Sequence, residues 1–88
     1  MFQGQLNLDG AIEVAAGAVG DVLFELGMRH ASGREGAVDL IAAHKWFNLA
    51  ALKGRTDAAA MRREVAEQMS DAEIAAAQRE ARAWMSAH

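Results

Sequence analysis

Residues Asp39–Gly54, DLIAAHKWFNLAALKG, decide the fold of this chain. The stretch is rich in alanine and leucine, contains no proline, and has its only glycine at the last position. Asp39 is suited to be an N-cap, because its carboxylate accepts from backbone N–H groups that have no partner within the first turn. Gly54 suits the left-handed residue that closes a helix, and Lys53 beside it favours the negative end of the dipole. Leu40, Ala43, Phe47, Ala50, Ala51 and Gly54 recur at helical spacing on one face, with Ile41, Ala42, Trp46 and Leu49 as a second stripe beside it. A helix apolar over that much of its circumference packs against neighbours on two sides. The pattern predicts the central rod of a helical stack.

On the N-terminal side, Asp21 to about Ala31 reads as a helix whose buried face carries Val22, Leu23, Leu26 and His30. Gly27 in its interior costs about 1 kcal/mol relative to alanine, which makes sense where another helix crosses closely. Ser32–Gly36 is a turn by composition. Before this, Asp9 is expected to cap a short helix over 10–16 that Gly17 interrupts, and residues 1–8 read as a short extended arm or a frayed terminus. On the C-terminal side, Asp57 is expected to cap a helix from Ala58 to Met69, with Ala58, Met61, Val65 and Met69 as its apolar stripe. Ser70 and Glu73 have the spacing of a capping box. They open a last helix from Asp71 to about Ser86, with Ile74, Ala77, Ala81 and Trp84 inward. Four helices in two antiparallel pairs are the expected fold.

The 88 residues allow a single domain with a thin stability margin. Alanine adds little buried area, so the expected core rests on Leu23, Phe24, Leu26, Ile41, Trp46, Phe47, Leu49, Met61, Val65, Ile74 and Trp84. The absence of cysteine removes disulfides and thiolate metal sites. A net charge of -3, with basic residues scattered among acids, argues against nucleic acid as a partner. No apolar run approaches the ~20 residues of a membrane span, and the N-terminus lacks the pattern of a secretory signal. These readings make a cytoplasmic location and no membrane contact the expectation.

An internal echo accompanies this pattern. Val14-Ala15 precede Asp21-Val22 as Ala50-Ala51 precede Asp57-Ala58, at one common offset of 36 residues that aligns Ala18 with Gly54. The order Leu26-Gly27, His30, Gly33, Asp39, Ala43, Trp46-Phe47, Ala50-Ala51, Gly54 resembles the Sel1-like repeat. His30 and Phe47 stand where that family usually has tyrosine, which weakens the expected contact at the first of them. The resemblance covers one repeat over 21–54, preceded by a degenerate segment over 1–20 and followed by a terminal helix pair over 57–88. It implies an all-α, tetratricopeptide-like α/α superhelix with a C-terminal capping pair. It also implies a non-enzymatic scaffold that binds a protein or peptide in a helical groove, with no cofactor.

In such stacks the first helix of each pair lines the groove, so the resemblance points to Phe24, Glu25, Met28 and Arg29 as the binding face, the alternative being that Phe24 packs onto the C-terminal cap helices. A stack of one repeat and a cap leaves an open end, and Phe2, Leu6, Leu8, Ile12 and Val14 have no evident partner. A homo-oligomer is therefore the alternative expectation, as a small regulatory or enzyme-associated subunit. Catalysis is not expected. His30 and His44 have no i+4 ligand, and Ser32, Thr56, Ser70 and Ser86 sit at turns, caps or the terminus. Trp46, Trp84 and the Met61–Met69 stripe are expected in the core before any ligand pocket.

Overall fold

The structure is a computed structural model that describes the backbone of residues 8–34 and 36–87, and the side chains of those residues from 17 onward. Its elements are α1 (Leu8–Ser32), α2 (Leu40–Leu52), α3 (Ala58–Ala66) and α4 (Asp71–Ala87), with no strand among the described residues. The all-helical expectation holds. The packing centres on α2, against which α1, α3 and α4 each lie. The wide apolar circumference of Asp39–Gly54 is thus covered from several sides rather than by one hairpin partner.

The ends of α2 follow from the two residues that flank it. Asp39 is extended (φ -130°, ψ 95°), and its Oδ1 accepts from the Ala42 N–H at 3.0 Å. At the other end Gly54 takes φ +99°, the Gly54 N–H donates to Ala51 O at 3.1 Å, and the Arg55 N–H donates to Ala50 O at 2.9 Å. Those two bonds are the Schellman pattern, and the left-handed residue it needs is a glycine because a Cβ would be strained there. The capping box also forms. The Glu73 N–H donates to Ser70 Oγ at 3.1 Å, and the Ser70 N–H donates to Glu73 Oε1 at 2.9 Å.

Three local expectations are corrected. The helix expected to break at Gly17 and restart at Asp21 is one helix, Leu8–Ser32, with neither Gly17 nor Gly20 at positive φ. A glycine inside a helix is a cost of about 1 kcal/mol, not a stop, and the alanines around Gly17 supply propensity. Consequently Ala18 lies within a helix where Gly54 ends one, and the 36-residue echo has no counterpart there. The third helix ends at Ala66 rather than Met69. Asp57 makes no side-chain cap bond, because Arg55 Nε donates to its Oδ1 at 2.7 Å.

The core has two parts joined by Phe24. One groups Leu23, Leu49, Ala50, Ala58 and Ala81, with Leu26, Trp46 and Trp84 packed at its edge. The other groups Ala43, Phe47 and Val65, with Met28, Ala31, Leu40, Met61 and Met69 around it. Phe47 and Leu49 are the largest side chains that are wholly buried. Small residues let the helices approach. A Cβ on Gly20 would stand 3.2 Å from the Lys53 carbonyl oxygen, and one on Gly27 would stand 2.6 Å from the Phe47 ring.

Candidate functional site

The four residues expected to form a binding face divide between two environments. Phe24 is half-buried, its ring centroid 5.5 Å from that of Phe47, with the Arg55 guanidinium over the ring at 3.9 Å from the centroid. Met28 packs on the Ala43–Phe47–Val65 group. Glu25 and Arg29 are exposed, and the Glu25 carboxylate pairs with both Arg29 and Arg34. Positions four apart share a helix face, so 24 and 28 turn inward together while 25 and 29 turn outward. The structure therefore does not bring the four together on one open surface. Phe2 and Leu6 lie outside the described residues, as do the side chains of Leu8, Ile12 and Val14.

Arg55 explains how α1 is held at this end. Its Nη1 donates to Asp21 Oδ1 at 2.9 Å while Nε serves Asp57 and the guanidinium stacks on Phe24. The two carboxylates raise its pKa, with the Asp57 hydrogen bond as the leading cause. A residue that reads as linker is a clamp between α1, the turn and the start of α3.

The open apolar feature lies one stripe away from Phe24. Ala18, Val19, Val22, Leu23 and Leu26 of α1 face Trp46 and Trp84 across a groove of about 370 Å³. Its lining is almost wholly apolar. Val22 is 60 % exposed and Val19 40 %, large values for β-branched residues beside two indoles. Trp46 and Trp84 meet edge to face, with centroids 6.1 Å apart and planes at 83°, which is the favoured aromatic geometry. Lys45 places its ammonium 4.3 Å from the Trp46 centroid, at the polar margin. Trp46 is thus both a half-buried core residue and a wall of the groove. The sequence pattern places Val22 on the buried face, and the structure instead exposes it together with Val19. Their three-residue spacing was the available signal.

Among the described residues, no three His, Asp or Glu side chains come together in a way that would hold a metal ion. His44 is buried, and its Nδ1 has no hydrogen-bond partner. Burial, and then the Arg62 charge, lower its pKa below the ordinary 6.5. Arg62 is itself tied to Asn48, donating from Nη1 to Oδ1 at 2.6 Å. In the fold His44 therefore takes up its proton only at lower pH than in the unfolded chain, where it does so near the ordinary value. The unfolded state binds more protons as pH falls, so stability present at neutral pH is lost progressively below about 6.5. In denaturant melts the wild type should lose stability between pH 7 and 5, and His44→Met should flatten that slope. Equal slopes would show that His44 does not carry the effect.

No helix among the described residues is long and apolar enough to cross a membrane. Comparison with known proteins adds no relative: no family model, no curated protein and no solved structure matches the chain.

Proposed function

We propose that this is a non-enzymatic protein–protein interaction module, a small scaffold that takes an apolar helical segment of a partner protein into the α1–Trp46–Trp84 groove. One observation carries the reading: a nearly polar-free groove walled by Val22, 60 % exposed, and two edge-to-face tryptophans. Apolar surface of this kind gains by leaving water, at roughly 25 cal/mol per Å². Exposed contiguous apolar patches with polar margins are where soluble proteins bind partners. The binding face proposed here is therefore shifted from Phe24 and Met28 to Val19, Val22 and Leu26, with Glu25 and Arg29 at its polar rim.

The Sel1-like, tetratricopeptide-like class is part of the same proposal. What supports it is the use made of the motif's small residues. Gly27 receives the Phe47 ring, Gly33 and Gly54 adopt φ +72° and +99°, and Ala43 and Ala50 are wholly buried. The unbroken α1 departs from a second repeat upstream.

Binding is tested with a tagged chain as bait. Val22→Glu places a charge in the groove, and Val38→Glu places one at a 54 % exposed position elsewhere. A partner recovered by wild type and Val38→Glu but lost by Val22→Glu is the expected result. Recovery by all three alike would remove the groove from the function. Because both tryptophans line the groove, occupation should also shift their emission to the blue.

A further inference from the structure

The groove continues into a sequence pattern along α1. Leu8, Ile12, Ala15, Val19, Val22 and Leu26 recur at spacings of four, three, four, three and four. That is the a/d seam of a coiled coil, with the 3.5-residue period of helices that pair lengthwise. None of the acids in this span, Asp9, Glu13, Asp21 and Glu25, falls on the seam. Its flanking positions include Ala11, Ala16 and Ala18, small enough for a second helix to lie close. The part with described side chains is open: Val19 and Val22 are among the exposed large apolar residues, and both line the groove.

Length supplies the second argument. At 1.5 Å per residue, the 25 residues of α1 run about 37 Å and the 13 of α2 about 20 Å. Gly20 is where α1 meets the end of α2, against the Lys53 carbonyl. About 17 Å of α1 therefore runs past α2, its only extensive neighbour among the described residues, and the longest axis is 55 Å against 26 and 21 Å. A dozen residues of helix are marginal alone in water. A foreign segment confined to the groove would cover Val22 and the tryptophans without running along this length of α1.

We infer that the occupant of the groove is α1 of a second copy of this chain, paired antiparallel along the 8–26 seam. In that register Leu8 lies opposite Leu26 of the other copy, Ile12 opposite Val22, and Ala15 opposite Val19. Each overhanging half enters the other copy's groove, one contact made twice, so the assembly closes as a two-fold dimer. A parallel pair would set groove against groove and leave the Trp46–Trp84 wall without an occupant. The seam spans only about two and a half heptads, which places the dimer among the small, weak interfaces. This inference rests on the groove being the working surface, and it names the partner.

Sedimentation equilibrium from about 10 to 500 µM reads the association on the scale expected for a weak interface. Wild type and Val38→Glu should approach dimer mass at the top of the range, while Val22→Glu stays monomeric with unchanged helix content by circular dichroism. The chain has no cysteine, so one introduced thiol reports geometry without interference. Ala18→Cys, near the two-fold axis, should oxidise to a covalent dimer, and Asp9→Cys should not, because its two copies lie far apart along the pair. Cross-linking of both would mean a parallel pair and would overturn the register. A wild type monomeric throughout overturns self-pairing. If that monomer still loses a foreign partner on Val22→Glu, the interaction reading survives. If it is indifferent to Val22→Glu, both readings fall. A dimer that Val22→Glu leaves intact also overturns the inference, because its interface lies elsewhere.

Discussion

Replacing Phe47 by alanine should destabilise the domain by about 3–5 kcal/mol, the range for removing a buried aromatic ring. The ring is wholly buried, and it touches both α1 and α3, which share few direct contacts with each other. Its centroid is 5.5 Å from Phe24, it lies on Gly27 of α1, and it groups with Ala43 and Val65. One side chain therefore ties α1 and α3 to α2. A glycine on the far side offers no side chain that can swing into the hole, which keeps the cost in the upper part of the range. For a domain of this length total stability is about 4–13 kcal/mol, so the variant stands at or beyond the edge of folding. Urea melts followed by circular dichroism should show the transition lost or moved down by several molar, since slopes for small domains begin near 1 kcal/mol per molar. Trp46→Ala serves as the comparison. That residue is only half-buried and walls the groove, so its loss should cost less than that of Phe47. A Phe47→Ala loss below about 1.5 kcal/mol, or one smaller than for Trp46→Ala, would mean that the packing around Phe47 is wrong.

What could be read from the sequence, and what could not, follows the range of the interactions involved. The ends of α2 and the start of α4 were legible because caps are local: Asp39, Gly54 and the Ser70–Glu73 pair act on backbone groups within a few residues. Gly27 was legible as a close crossing because a helix interior tolerates glycine only for a reason. The continuity of α1 is hidden in the sequence because Gly17 reads as a break and Asp21 as a fresh start. The role of Gly20 depends on the Lys53 carbonyl, which comes from another part of the chain. The Asp57 cap failed for a similar reason, since Arg55 competes for the same carboxylate. The groove could not be read at all from single residues. The same apolar stripe serves as core where α2 covers it and as open surface where α2 does not. Val22 and Leu23 are neighbours in sequence, yet one is 60 % and the other 3 % exposed. Only the placement of α2 decides between them.

The second large effect is expected at Gly27, where two local rules give opposite signs. Helix propensity favours any side chain over glycine, by about 1 kcal/mol for alanine. Packing opposes it, because a Cβ built on Gly27 stands 2.6 Å from two ring atoms of Phe47 and 3.0 Å from a third. A ring in a filled core cannot yield as a surface side chain would, and forcing extra methylenes into such a site costs about 1–3 kcal/mol, occasionally more. Gly27→Ala should therefore end slightly destabilised despite its propensity gain. Gly27→Val, with two further methyl groups against the ring and a weaker propensity, should lose about 2–4 kcal/mol. The control is Gly17→Ala. There a Cβ meets nothing within 4 Å and φ is not positive, so propensity acts alone and the variant should gain up to about 1 kcal/mol. A double-mutant cycle identifies the cause. Phe47→Leu removes part of the ring that the new side chain strikes, so Gly27→Val should cost at least about 1 kcal/mol less when combined with Phe47→Leu than in the wild type. Additive losses would mean that Gly27 is needed for some reason other than contact with Phe47. The close approach of α1 to α2 at Gly27 would then need a different cause.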